Sequence, residues 1–288
     1  MKLKLGVDLS KYQENLTKDL FKQLVDNGMS FVIFKVQGVK SGTSIIAEDP
    51  KAETFKAWCL EYKVPYGIYL YLYPGISYDT QMAFTKAMQL KYTPKITFMD
   101  AEEYKNYSTG LPLAPSFLNG FYKKYYDNLP GVKGVYTGDW FVKQYCPQMV
   151  NWLANVDYLW WAWYYRYYWV WKLFMVTLGT EPISITKLPQ VVSWLENKTP
   201  GTMGLRWDIW QFESYMKVKE LGAVNSNLYH FDWNVIPEDI HAEVFGEIPP
   251  VEPPVDPMIL EKAYRIDELK HRRDEIYKLF NDRIDELS

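Results

Sequence analysis

Asp100 and Glu102 are the residues whose types and spacing most directly suggest chemistry. They close the run KITFMDAEE, which reads as a β-strand. Side chains alternate along a strand, so residues two apart leave the same face with Cα atoms ~6.5–7 Å apart. Their carboxyl groups then fall within the roughly 5–9 Å range that paired acids use to break a glycosidic bond. Two neighbouring carboxylates resist simultaneous ionisation, so one keeps its proton near neutral pH and is available as an acid. A D-x-E triplet is common by itself; the buried-looking run ITFM before it sets this one apart.

The same alternation sorts other runs into two faces. In GVDLS, Asp8 opposes Val7 and Leu9. In YGIYLYLYP, Tyr69, Tyr71 and Tyr73 oppose Ile68, Leu70 and Leu72. In FVIFKVQG, Lys35 and Gln37 share a face, and in HFDWNV, Asp232 and Asn234 oppose Phe231 and Trp233. One set is apolar, as covering helices require. The other collects carboxylates, Tyr, Asn, Lys and Gln, and predicts an acidic, aromatic rim at one end of a sheet.

The elements that must position these residues alternate. FVIFKVQG is followed by a helix through AETFKAWCLEYK, then YGIYLYLYP, a helix from about Asp79 to Leu90, and KITFMDAEE. A helix around FLNGFYKKYYDNL and a strand through KGVYTGDWF come next. This rhythm, with roughly eight strand candidates, predicts an α/β chain folded as an irregular TIM-like (β/α) barrel, with chemistry at the C-terminal strand ends. Residues 173–203 break the rhythm and read as an insertion without assigned structure. After His241 the composition changes. The expected division is a barrel over 1–245, a proline-rich linker over 246–257, and one amphipathic helix over 258–288. In that helix Ile266, Leu269, Ile276, Phe280 and Leu287 make one stripe, suited to a coiled-coil partner or to packing back on the barrel.

Composition narrows the classes. The 288 residues carry a net charge of -3, which gives no reason to expect a nucleic-acid partner. No glycine-rich phosphate loop is present. The only histidines, His230, His241 and His271, form no ligand pair, so neither a metal nor a cofactor is expected. Cys59 and Cys146 read as reduced thiols. The start MKLKLGVDLS lacks the pattern of a secretory signal peptide. Residues 158–179 are long and apolar, but Arg166 and Lys172 within them argue against a membrane span. The 24 Tyr, 14 Phe and 12 Trp have two readings, a bulky core or flat rings that stack on sugars.

Taken in order, GVDLSKYQ, FVIFKVQG, YGIYLYLYP, MDAEEY, GVYTGDWF, WWAWY, WDIWQF and FDWN resemble glycoside hydrolase family 25, over roughly residues 5–240. These are muramidases of the phage endolysin and bacterial autolysin type. The resemblance implies an irregular β/α barrel that cuts the β-1,4 bond between N-acetylmuramic acid and N-acetylglucosamine of peptidoglycan. By motif, Glu102 matches the family's general acid and Asp100 its partner, while Asp8 and Asp232 match aspartates that line the site. Retention of configuration in the family implies that the substrate's acetamido oxygen attacks, with Asp100 orienting it or stabilising the charge. Tyr69, Tyr71, Tyr136, Gln37, Trp161 and Gln211 are the expected substrate contacts.

The departures are Gln37, where many relatives carry an acid, a longer aromatic insertion after WWAWY that could cap or extend the groove, and no wall-binding repeat. The resemblance suits a phage enzyme acting on the wall after a membrane lesion, or one carried on a virion. The terminal helix then serves as a self-association or virion contact. A non-catalytic wall-binding or structural module on the same barrel, and a hydrolase of another polysaccharide such as chitin, are the alternatives.

Overall fold

The computed structural model describes residues 1–40, 43–164, 169–179, 183–213, 216, 218–219 and 231–246. The linker and the amphipathic helix predicted beyond them, and His230 and His271, lie outside the described residues.

The strands are β1 (Leu3–Leu9), β2 (Met29–Val39), β3 (Ile46–Glu48), β4 (Tyr66–Tyr71), β5 (Thr97–Asp100), β6 (Lys133–Gly138), β7 (Tyr158–Ala162), β8 (Ile209–Glu213) and β9 (Asp232–Pro237). The helices are α1 (Lys18–Asp26), α2 (Ala52–Glu61), α3 (Tyr78–Tyr92), α4 (Pro115–Asn128), α5 (Asp139–Gln144), α6 (Val150–Leu153), α7 (Trp169–Thr177), α8 (Leu188–Leu195) and α9 (Glu238–Phe245). Local chemistry sets several ends. Thr17 and Ser77 cap α1 and α3 through their hydroxyls, and Pro115 occupies the first turn of α4.

Eight strands close into a barrel in the order β1-β9-β8-β7-β6-β5-β4-β2, with β2 pairing back to β1 and β3 hanging on the edge of β2. Neighbours from β1 through β2, β4, β5, β6 and β7 to β8 run parallel, but β9 is antiparallel to both β8 and β1. The barrel expectation holds, and the reversed last strand is its irregularity. That reversal matters for the site, because it brings the start of β9 to the end of the barrel where the other strands finish.

Alternation divides the core in two. Outward residues such as Val7, Phe34, Leu70, Met99 and Trp210 pack under the helices. Inward residues Phe31, Ile33, Phe98, Trp160, Ile209 and Ile236 fill the bore. Bulky rings fit there because the adjacent strands carry glycine beside them. A Cβ at Gly6 would lie 2.3 Å from the Phe31 ring, and one at Gly134 2.2 Å from Phe98. Helix α9 closes the N-terminal end, where Phe245 stacks on Phe31 at 5.1 Å and His241 reaches the Ser30 carbonyl.

The apolar stretch 158–179 divides into β7 and the nine-residue α7. No helix among the described residues is long and apolar enough to cross a membrane. Within the insertion, α7 and α8 pack together, with Phe174 stacked on Trp194 at 4.7 Å and Trp171 against Phe212 of β8. Phe212 faces outward, so this part of the insertion covers the barrel wall. Cys59 and Cys146 are free and buried.

Candidate active site

Four carboxyl groups and one amine meet at the barrel mouth. Asp8 is next to last in β1, Asp100 ends β5, and Glu102 follows in the connecting loop. Asp232 begins β9, and the antiparallel register sets it directly opposite Asp8. Residues from the two ends of the barrel sequence are thus cross-strand neighbours.

A hydrogen-bonded network fixes Asp8. Its Oδ2 accepts from Nε2 of Gln211 and from Nδ2 of Asn234, each at 2.9 Å. Gln211 Oε1 accepts the hydroxyls of Tyr136 and Tyr164 at 2.9 and 2.6 Å, and Asn234 Oδ1 accepts the Trp160 indole N–H at 2.8 Å. Each amide therefore has its donor end on Asp8 and its acceptor end on aromatic donors. Two amide donors favour the charged form of Asp8, and a hydrogen bond links Asp8 to Asp232. That bond favours the charged form of Asp8 and the protonated form of Asp232. Burial still raises Asp8 to about 7, and burial with the adjacent Asp8 charge holds Asp232 well above the usual carboxylate range.

Asp100 is only 3% exposed, and its Oδ1 has no hydrogen-bond partner among the described residues. Burial and the charge of Glu102 push its pKa well above the usual range, while Lys35 pulls it down. Glu102 is half-buried at the loop, and burial raises it to about 7 against the pull of Lys35 and a Tyr136 hydrogen bond. The pair cannot ionise fully together, so it titrates as a unit.

Lys35 enters from β2, with its ammonium 4.5 Å from the centre of the Tyr71 ring and 5.8 Å from that of Tyr69. Burial lowers its pKa, whereas Asp100, Asp49 and Glu102 hold it charged. The tyrosine faces are attractive to a cation, so they keep the amine beside the acids. The Tyr71 hydroxyl donates to Glu103 at 3.3 Å, and the Tyr69 ring stands edge-on to Trp160.

The structure thus brings together Asp8, Asp100, Glu102, Asp232, Tyr69, Tyr71, Tyr136 and Gln211. It places Gln37 and Trp161 elsewhere. A β-bulge falls between Lys35 and Gln37, so the two do not share a face. Gln37 is turned toward α3 and donates to the Tyr71 carbonyl and to Gln81 Oε1. Trp161 is on the outward face of β7, fully buried, with its indole N–H on the Gly201 carbonyl. Its neighbour Trp160 takes the inward position. Lys35, Trp160, Tyr164 and Asn234 complete the site; for Trp160 and Tyr164 the signal was the two-residue repeat within WWAWY. Among the described residues no group of three or more His, Cys, Asp or Glu is placed to hold a metal.

The architecture defines a class, the irregular β/α barrel found in glycosyl hydrolase 25 structures. Particular structures share it. The catalytic domain of endolysin ply40 from bacteriophage P40 of Listeria monocytogenes matches with a TM-score of 0.52 at 21% identity, over 85% of this chain and 98% of that one. The lysozyme of Streptomyces coelicolor matches at 0.53 and 16% identity, over 84% and 96%. The muramidase of Acremonium alcalophilum matches at 0.52 and 16% identity, over 85% and 100%. At such identities the likeness is one of fold. No protein-family model and no curated protein sequence matches the chain.

Proposed function

We propose that this chain is a muramidase that hydrolyses the β-1,4 bond between N-acetylmuramic acid and N-acetylglucosamine of bacterial peptidoglycan, with retention. The observation that carries this reading is one barrel mouth that gathers two carboxyl pairs, Asp100 with Glu102 at the end of β5 and Asp8 opposite Asp232 on β1 and β9, with burial raising all four above the usual range. The solved lysozyme and muramidase that share the fold support the same bond and substrate class.

Glu102 is the general acid. It is the more open of the pair, and its pKa of about 7 keeps a protonated fraction at neutral pH. Burial favours the proton on Asp100 in the free site. A substrate acetamido N–H donating to the unpartnered, buried Oδ1 of Asp100 would favour its carboxylate and leave the proton to Glu102. The acetamido oxygen then attacks the anomeric carbon as the glycosidic C–O bond breaks, and Glu102 protonates the departing oxygen. Water, deprotonated by Glu102, opens the cyclic intermediate, and two inversions give retention. Asp8, whose charged form the Gln211 and Asn234 amides favour against burial, stabilises in that form the positive charge that develops on the sugar.

The test is clearing of purified cell walls by the wild type but not by Glu102→Gln, with muramic acid at the new reducing ends by mass spectrometry. Release of chitin fragments alone would redirect the substrate, and a covalent glycosyl adduct on Asp100 would overturn the substrate-assisted step. The alternative of a non-catalytic module rested on Gln37, which lies against α3 rather than in the mouth. We place the enzyme in a phage context, for host lysis or local wall penetration, with residues 258–288 as the contact for self-association or virion attachment.

A further inference from the structure

We propose that Trp140 is a sugar-stacking platform at the barrel mouth, forming a binding subsite for one N-acetylated hexosamine ring beside the cleaved bond. This rests on the hydrolase reading for the identity of the sugar, but the geometry stands by itself. Inward positions on β6 are Gly134, Tyr136 and Gly138; Tyr136 lies in the bore and a Cβ at Gly134 would meet the inward Phe98. A Cβ at Gly138 would point the same way, and it would lie 2.9 Å from both Cδ1 and Nε1 of Trp140 and 3.5 Å from the inward Ala162. The indole of Trp140 therefore folds back from the first turn of α5 over the mouth. It sits one strand repeat above Tyr136, ~7 Å along β6, the length scale of a sugar ring.

The ring is held but not covered. Trp140 stands edge-on to Tyr145 at 5.9 Å, and Tyr145 stacks on Tyr104 at 3.8 Å and 16°. Tyr104 belongs to the loop that carries Glu102, so the platform and the acid are braced by the same stack. Trp140 remains 40% exposed, and its indole N–H donates to no described residue. By contrast, Trp152, Trp160, Trp161, Trp210 and Trp233 each donate to an internal acceptor. An apolar face and a spare N–H donor at a polar mouth suit the C–H face and acetamido oxygen of an amino sugar.

The test measures binding of the β-1,4-linked N-acetylglucosamine tetramer, and of purified wall glycan, to the full chain carrying Glu102→Gln. Adding Trp140→Ala is expected to weaken the tetramer about tenfold, with Trp140→Phe recovering most of the loss. Gly138→Ala, which displaces the ring without removing it, is expected to mimic Trp140→Ala, with melting temperature and near-ultraviolet dichroism reporting folding. Equal affinity with and without the indole, or Phe behaving like Ala, overturns the platform. So does failure of the parent to bind either glycan. Wall hydrolysis by the wild type is scored separately. Trp140-dependent binding without hydrolysis sinks the enzyme reading and keeps the platform. Hydrolysis with a Trp140-independent KM sinks the platform alone.

Discussion

At the scale of single residues, Lys35 is the group that sets how the acids share protons. Among the described residues it is the cation whose charge most lowers both Asp100 and Glu102, and two tyrosine faces lie against it. Lys35→Met removes that pull and leaves a side chain of similar length. The pKa of Glu102 then rises further, so the general acid keeps its proton to higher pH. The expected outcome is an alkaline limb of kcat/KM near 7 for the wild type that moves upward by about one pH unit in the variant. A limb that stays in place would show that Lys35 does not act on Glu102. Replacing the acid itself, Glu102→Gln, is expected to lower kcat by about 10²–10⁴-fold, measured on soluble wall fragments.

At the scale of elements, the strand–helix order and the D-x-E pair were legible because periodicity two is a local property of the sequence. The faces of β4 and β5 came out as expected for that reason. Gln37 and Trp161 did not, and for different causes. A bulge adds one residue to β2 and reverses parity after Val36, and no residue type in FVIFKVQG announces it. In WWAWY both phases of the alternation carry large rings, so only pairing with β6 and β8 decides that Trp160 turns inward. The direction of β9 was likewise invisible, although FDWN marked its chemistry. The bulge leads to a prediction. Gln37→Glu puts an acid at the position where many relatives carry one, but here the side chain is buried and donates to Tyr71 and Gln81. Loss of those donors and burial of a charge should cost about 2–4 kcal/mol, read by chemical denaturation, with no gain in activity. Increased activity without loss of stability would place residue 37 in the mouth after all.

At the scale of the whole molecule, a site built from buried acids is expressed in the pH dependence of folding. Asp8 rises from 3.8 unfolded to about 7 folded, and Glu102 from 4.5 to about 7. The folded state binds more protons than the unfolded state between these values, so their contribution to stability is full below about pH 4 and is lost as pH rises through 7. The melting temperature should therefore fall by about 5–10 °C between pH 5 and pH 8, and a flat profile would contradict the assignment of protonated acids. The assembly proposal is tested by light scattering on the full chain and on one ending at Gly246. A larger mass for the full chain supports self-association through 258–288, and the same monomeric mass for both removes it.

The pairing of Asp8 with Asp232 has a consequence in time as well as in space. Synthesis delivers Asp8 with the first barrel strand and Asp232 after most of the barrel has been made. Their cross-strand pairing, and the Asn234 donor to Asp8, come into being only when β9 inserts between β8 and β1. A growing chain, or one nicked before its last strand docks, carries Asp8, Asp100 and Glu102 but lacks Asp232 and the Asn234 amide that orients Asp8. Closure of the barrel is thus also the step that arms it.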